Sequence, residues 1–176
     1  MEFILFINLL VGNIFLSTGL SKCFSLTAFE EAIPQFTNFR NPKIIRMISR
    51  AFVVTEILCG GLLVCSFLYK VAAILVIVML IIFSMLILHH LNKKTNLTCH
   101  CGGALGNEEI NIGIPVRNLV LIIALLFTIT APEIPIILQL LVEIEYLKTW
   151  LITDLLVLCL LATYYFSLKL NALTKV

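Results

Sequence analysis

Apolar residues run along the chain in five long blocks separated by short polar stretches, and the lengths of these blocks bear directly on the fold. A helix that crosses a bilayer needs about 20 consecutive apolar residues, with roughly 17–25 workable. Four blocks meet this requirement comfortably, at about 3–20, 47–68, 71–91 and 151–170. A fifth, at 114–130, is shorter but long enough, and it stops at "APEIP", where two prolines end the helical register. The stretch 136–146 is apolar but short and carries Glu143 and Glu145, which assigns it to the membrane interface. Between the first two blocks, "LTAFEEAIPQF" sets Leu26, Phe29, Ile33 and Phe36 at helical spacing. That pattern predicts a short helix lying on the membrane surface and ending near Pro34. The expected fold is an all-α, five-span bundle forming one membrane domain over residues 1–176, with four spans as the alternative.

Composition agrees with the pattern. Hydrophobic residues make up 61% of the chain and charged residues 12%, at a mean hydropathy of +1.11. A soluble domain carries about 45–50% apolar residues and ~25% charge, so this chain cannot cover its own surface with polar groups and its solvent is the lipid bilayer. A net charge of +2 with no dense basic run argues against nucleic acid as a partner. The first block has Glu2 but no Lys or Arg ahead of it, and no A-x-A-like exit, so it reads as a retained membrane helix rather than a cleaved signal.

Charge also bears on orientation. With five spans, Lys22, Arg40, Lys43, Arg46, Arg50, Lys93, Lys94, Arg117, Lys169 and Lys175 share one face, against Lys70 and Lys148 on the other. The bias places the loop between spans three and four in the cytoplasm, the expected membrane being the bacterial cytoplasmic one. Disulfide chemistry runs most easily outside the cytoplasm, so charge and chemistry point in opposite directions here.

That loop reads "NKKTNLTCHCGGALGN", with Cys99 and Cys101 on either side of His100. A disulfide spanning one intervening residue closes a small ring that strains the preferred dihedral and is easily reduced, which makes it an exchange partner rather than a staple. Lys93, Lys94 and a protonatable His100 favour the reactive thiolate. Gly102 and Gly103 permit a sharp turn and close approach by a partner backbone. Thiol–disulfide exchange is the chemistry these features favour. Two alternatives stand beside it: an inert reduced pair, or a metal site drawing N and S ligands from His89, His90, Cys99, His100 and Cys101. The C-x-C spacing lacks the C-x₂₋₄-C register of structural zinc, and His89 and His90 also suit a helix end at the headgroups.

Of the remaining cysteines, Cys59, Cys65 and Cys159 fall inside spans, where cysteine packs as a small apolar residue. Cys23 follows Lys22 on the same face as the CHC loop, as a resolving thiol or as interfacial packing. Glu56 lies about 13 Å into the second span at about 1.5 Å per residue, where an ionisable group is functional or paired by default. Arg117, at the start of span four, is its expected partner, with Arg50 a second candidate. Such a pair either fixes helix packing or lies on a proton path. Asp154 enters from the opposite face and is not expected to reach Glu56. Asn8, Gly12 and Gly19 of span one, with Gly60 and Gly61 of span two, mark a close helix–helix approach.

Several of these pieces occur in a familiar order: "STGLSK" at the end of span one, "FEEAIPQF" after it, "TEILCGGLLV" in span two, "CHCGG" in the 3–4 loop, and Arg117-Asn118. Over roughly the first 130 residues the chain resembles the MauE proteins of methylamine utilisation, within the wider DoxX-like group of small membrane proteins. The resemblance implies a membrane helper for a thioredoxin-like partner, acting in the maturation of a disulfide-containing or cysteine-rich client. DoxX relatives further imply coupling to quinone. A non-catalytic assembly partner and a metal carrier or transporter are the rival functions.

Overall fold

Backbone N–H and C=O groups find no water in hydrocarbon, so an apolar block of membrane-spanning length must close its hydrogen bonds within itself. Each block does so as α-helix. The computed structural model describes residues 2–36, 41–92, 112–130 and 144–173. They form α1 (Glu2–Phe24), α2 (Leu26–Phe36), α3 (Pro42–Val64), α4 (Tyr69–Asn92), α5 (Gly113–Thr130) and α6 (Ile144–Leu173). All except α2 are long and apolar enough to cross a membrane. At 23 residues, α1 and α3 each extend about 35 Å, more than the roughly 30 Å hydrocarbon thickness. The fold is a five-span helical bundle, and the four-span alternative does not apply.

The helix ends differ from the hydropathy boundaries, for local reasons. α3 starts at Pro42 rather than near residue 47, because Asn41 caps it: the Asn41 side chain accepts from Lys43 N at 3.0 Å, with proline in the first helical position. α2 runs past Pro34 to Phe36, so the proline costs one backbone bond near the end of the helix without stopping it there. Ile144, Glu145 and Tyr146 open α6, while residues 136–143 of the expected interfacial stretch lie outside the described residues.

The turn from α3 to α4 is a Schellman motif. Ser66 N bonds to Leu63 O at 3.1 Å and Phe67 N to Leu62 O at 3.0 Å, which takes up carbonyls left over at the helix end. Ser66 occupies the left-handed position with φ 52°, and Leu68 follows at 48°. Cys65 is the exposed C-cap residue of α3, so it belongs to the turn and not to the interior of a span.

α1 sits at the centre of the bundle, packing against α3 above all and also against α5, α6 and α2. Small residues set the α1–α3 distance. A Cβ on Gly60 would lie 2.9 Å from Leu16 N and 3.0 Å from Gly12 O, and one on Gly12 would strike the Val64 side chain at 2.7 Å. Gly19 meets Ile57 in the same way. Gly61, expected at this contact, has nothing within 4 Å of its added Cβ and is not part of it. Asn8 is fully buried on α1. The last span joins through two polar contacts: Asn13 Nδ2 donates to Asp154 Oδ1 at 2.8 Å, and Trp150 Nε1 to Val64 O at 3.3 Å.

α2 folds back on α3, burying Phe29 and Ala32. The Phe29 and Phe52 rings meet at 5.8 Å, and Ser49 Oγ donates to Glu30 Oε1 at 3.3 Å. The helix thus covers the part of α3 that extends beyond the end of α1.

Candidate functional site

Phe15, Thr18 and Lys22 fall at positions i, i+3 and i+7 of α1 and share one helical face. α1 and α3 run antiparallel, with Gly12 opposite Gly60 and Gly19 opposite Ile57, so Lys22 comes level with Glu56. Lys22 Nζ donates to Glu56 Oε1 at 2.6 Å, and Thr18 Oγ1 approaches the same oxygen at 3.4 Å. The Lys22 and Glu56 side chains are 4% and 6% exposed. Three aromatic rings from three helices surround the ammonium: Phe52 of α3 at 5.0 Å, Phe29 of α2 at 5.4 Å and Phe83 of α4 at 6.0 Å, each to the ring centroid. Cation–π attraction grows with desolvation, to about 2 kcal/mol, so the cage offsets part of the cost of burying the charge.

Beside the pair lies a cleft bounded by α1, α3, α4 and α5, with a volume of about 50 Å³. Lys22, Glu56, Thr18, Arg117 and Asn118 supply its polar lining, and Phe52, Phe83 and Met79 are among its apolar residues. Asn118 Nδ2 donates to Ser84 Oγ at 3.0 Å and ties α5 to α4. Two buried atoms of the lining residues have no hydrogen-bond partner: Glu56 Oε2, an acceptor, and Arg117 Nε, a donor.

The expected Glu56–Arg117 ion pair is therefore corrected. Arg117 lines the same cleft, but the carboxylate is bound by Lys22, which the tight α1–α3 contact brings within bonding distance. Arg50 is exposed and takes no part, and Asp154 bonds to Asn13, away from Glu56 as anticipated. Sequence reasoning quoted Thr18 and Lys22 within "STGLSK" and Asn118 beside Arg117 but did not place them at this site, and it missed the aromatic cage. The helical register of Phe15, Thr18 and Lys22 was the available signal.

Cys99, His100 and Cys101 lie outside the described residues, so their distance from Cys23 does too. Cys23 is exposed in the last turn of α1. Cys59 is buried in the core, while Cys159 is exposed on α6. His89 is exposed near the end of α4, and the His90 side chain is not among those described. Among the described residues no three His, Cys, Asp or Glu side chains gather as metal ligands.

The cleft has room for a few waters, at roughly 10–15 Å³ each, and is well below the roughly 150 Å³ cavity that admits a benzene ring. Quinone coupling rests on the family resemblance alone, and no step is routed through a quinone. Neighbouring donor and acceptor atoms equip the site to hold a small polar group.

No curated protein and no solved structure shows a match to the chain. The family model described as "Methylamine utilisation protein MauE" matches residues 1–131. The matched region takes in α1 to α5, the Lys22–Glu56 pair, Arg117 and the CHC segment, and leaves α6 beyond it. The chain belongs to the MauE family, as a multi-pass membrane protein of the methylamine-utilisation type.

Proposed function

We propose that this membrane protein is a thiol–disulfide redox accessory that exchanges electrons with a thioredoxin-like partner during maturation of a client protein. One observation carries the proposal: within the family-matched region, Cys99 and Cys101 flank a single histidine next to two lysines and two glycines. In the reduced protein, the thiolate of one cysteine attacks a sulfur of the partner's disulfide, and a mixed disulfide forms as the other partner sulfur leaves as a thiolate. The second cysteine, deprotonated, attacks the near sulfur of the mixed disulfide. The products are a Cys99–Cys101 disulfide and a partner dithiol, two electrons having passed to the partner and two protons from the cysteines to its thiolates. Running the steps backwards oxidises the partner. Exposed Cys23, at the end of the first span, is a third thiol for relaying the exchange. The Lys22–Glu56 pair holds α1 and α3 in register.

The test is differential alkylation of native membranes before and after reductant, read by mass spectrometry. A population of Cys99 and Cys101 protected until reduction is expected. Full alkylation of both under every redox condition would leave the family fold acting as an assembly partner without thiol chemistry. A Cys101→Ser variant under mild oxidation is expected to trap a Cys23–Cys99 crosslink. Free Cys23 in that variant and in Cys99→Ser would remove Cys23 from the relay.

A further inference from the structure

The cleft beside Glu56 is lined by two cations and one carboxylate, and its charges do not cancel. Lys22 is matched by Glu56 at 2.6 Å. Arg117 forms no ion pair among the described residues; its side chain is partly exposed, and its Nε is buried without an acceptor. A buried donor left without an acceptor is costly. The second oxygen of Glu56 is also buried and needs a donor, and an ionised carboxylate supplies none itself.

We propose that this cleft is a binding site for a small protic oxyanion, of which bicarbonate is the representative. Three requirements select the class. The ligand carries one negative charge, which neutralises Arg117. It presents acceptor oxygens to the planar fork of the guanidinium and an O–H to Glu56 Oε2, so that one molecule satisfies both orphaned atoms. It is small: about 50 Å³ at roughly 10–15 Å³ per water admits about four heavy atoms. Chloride and nitrate meet the charge requirement but bring no donor and leave Glu56 Oε2 facing an anion. Sulfate and a lipid phosphodiester are likewise acceptors only and bring no donor to Glu56 Oε2. The proposal uses neither Cys99 nor Cys101 and stands apart from thiol exchange.

The test is thermal unfolding of the full chain in nanodiscs of zwitterionic lipid, followed through Trp150. This tryptophan lies outside the cleft lining and reports unfolding rather than contact with the ligand. At constant pH and ionic strength, bicarbonate is expected to raise the midpoint saturably, by about 5–11 °C at 100-fold excess over Kd, with nitrate and chloride giving little. Arg117→Gln is expected to abolish the bicarbonate-dependent part. Equal shifts from all three anions, no saturable shift, or an undiminished shift in Arg117→Gln would each overturn the proposal. Should that variant not fold, equilibrium dialysis of ¹⁴C-bicarbonate against the wild-type chain decides: one saturable site per chain, not displaced by nitrate, supports the assignment, and its absence or its displacement by equimolar nitrate refutes it.

Discussion

Lys22 and Glu56 meet at 2.6 Å where α1 and α3 cross, with Phe29, Phe52 and Phe83 closing around the ammonium. The contact links the two most closely packed helices, and its aromatic shell brings in α2 and α4. Both side chains are nearly fully buried. The pair is therefore an all-or-nothing feature of the bundle, worth far more to keep whole than either half is worth alone.

Removing one partner is expected to cost about 3–5 kcal/mol, because the survivor is left as an uncompensated buried charge. Lys22→Met or Glu56→Met should lower the unfolding midpoint in detergent accordingly. The double variant should recover much of that loss, since apolar side chains of similar volume often replace a buried pair without penalty. A double variant as unstable as the sum of the singles would show that the two residues act independently.

Neighbouring glycines should respond in opposite directions. Gly60→Ala puts a Cβ within 3.0 Å of α1 backbone, so the helices must separate, at about 1–3 kcal/mol. Gly61→Ala meets nothing and gains the helix preference of alanine, about 0.5–1 kcal/mol in its favour. Equilibrium unfolding of the two single variants checks the contrast.

Ser66→Gly should stabilise the protein by about 1–2 kcal/mol. Serine holds the left-handed position of the Schellman turn at φ 52°, where glycine carries no Cβ penalty. Its buried Oγ has no hydrogen-bond partner, so deleting the hydroxyl removes a second cost. Ser66→Ala, which removes only the hydroxyl, should gain less. Midpoints of the two variants separate the terms.

Five spans place Cys23 on one side of the membrane and Cys65 on the other, and the order of spans along the sequence predicts the CHC segment on the Cys23 side. A membrane-impermeant thiol reagent applied to intact cells should therefore label either Cys65 or the Cys23 group, never both. The excess of Lys and Arg on the Cys23 side predicts Cys65 as the labelled residue. Labelling of Cys23 instead would put the CHC segment outside the cytoplasm.

The number of spans and the helical class were legible in the sequence, because each depends on distance along the chain. An apolar block long enough to cross hydrocarbon must be helix, and 1.5 Å per residue then sets the depth of every charge on it. The small residues of the α1–α3 contact were also visible, as glycines within otherwise bulky spans. Depth does not fix rotation about the helix axis. Lipid is as apolar as the bundle interior, and α1 and α4 are apolar on nearly every side, so no polar face shows which way each helix turns. Lys22 and Arg117 were both at the right level to meet Glu56, and Gly60 and Gly61 differ by about 100° of rotation and nothing else. Packing of α1 on α3 made the choice: Gly60 turned inward because backbone had to approach there, and the same rotation brought Glu56 to Lys22 and left Arg117 across the cleft.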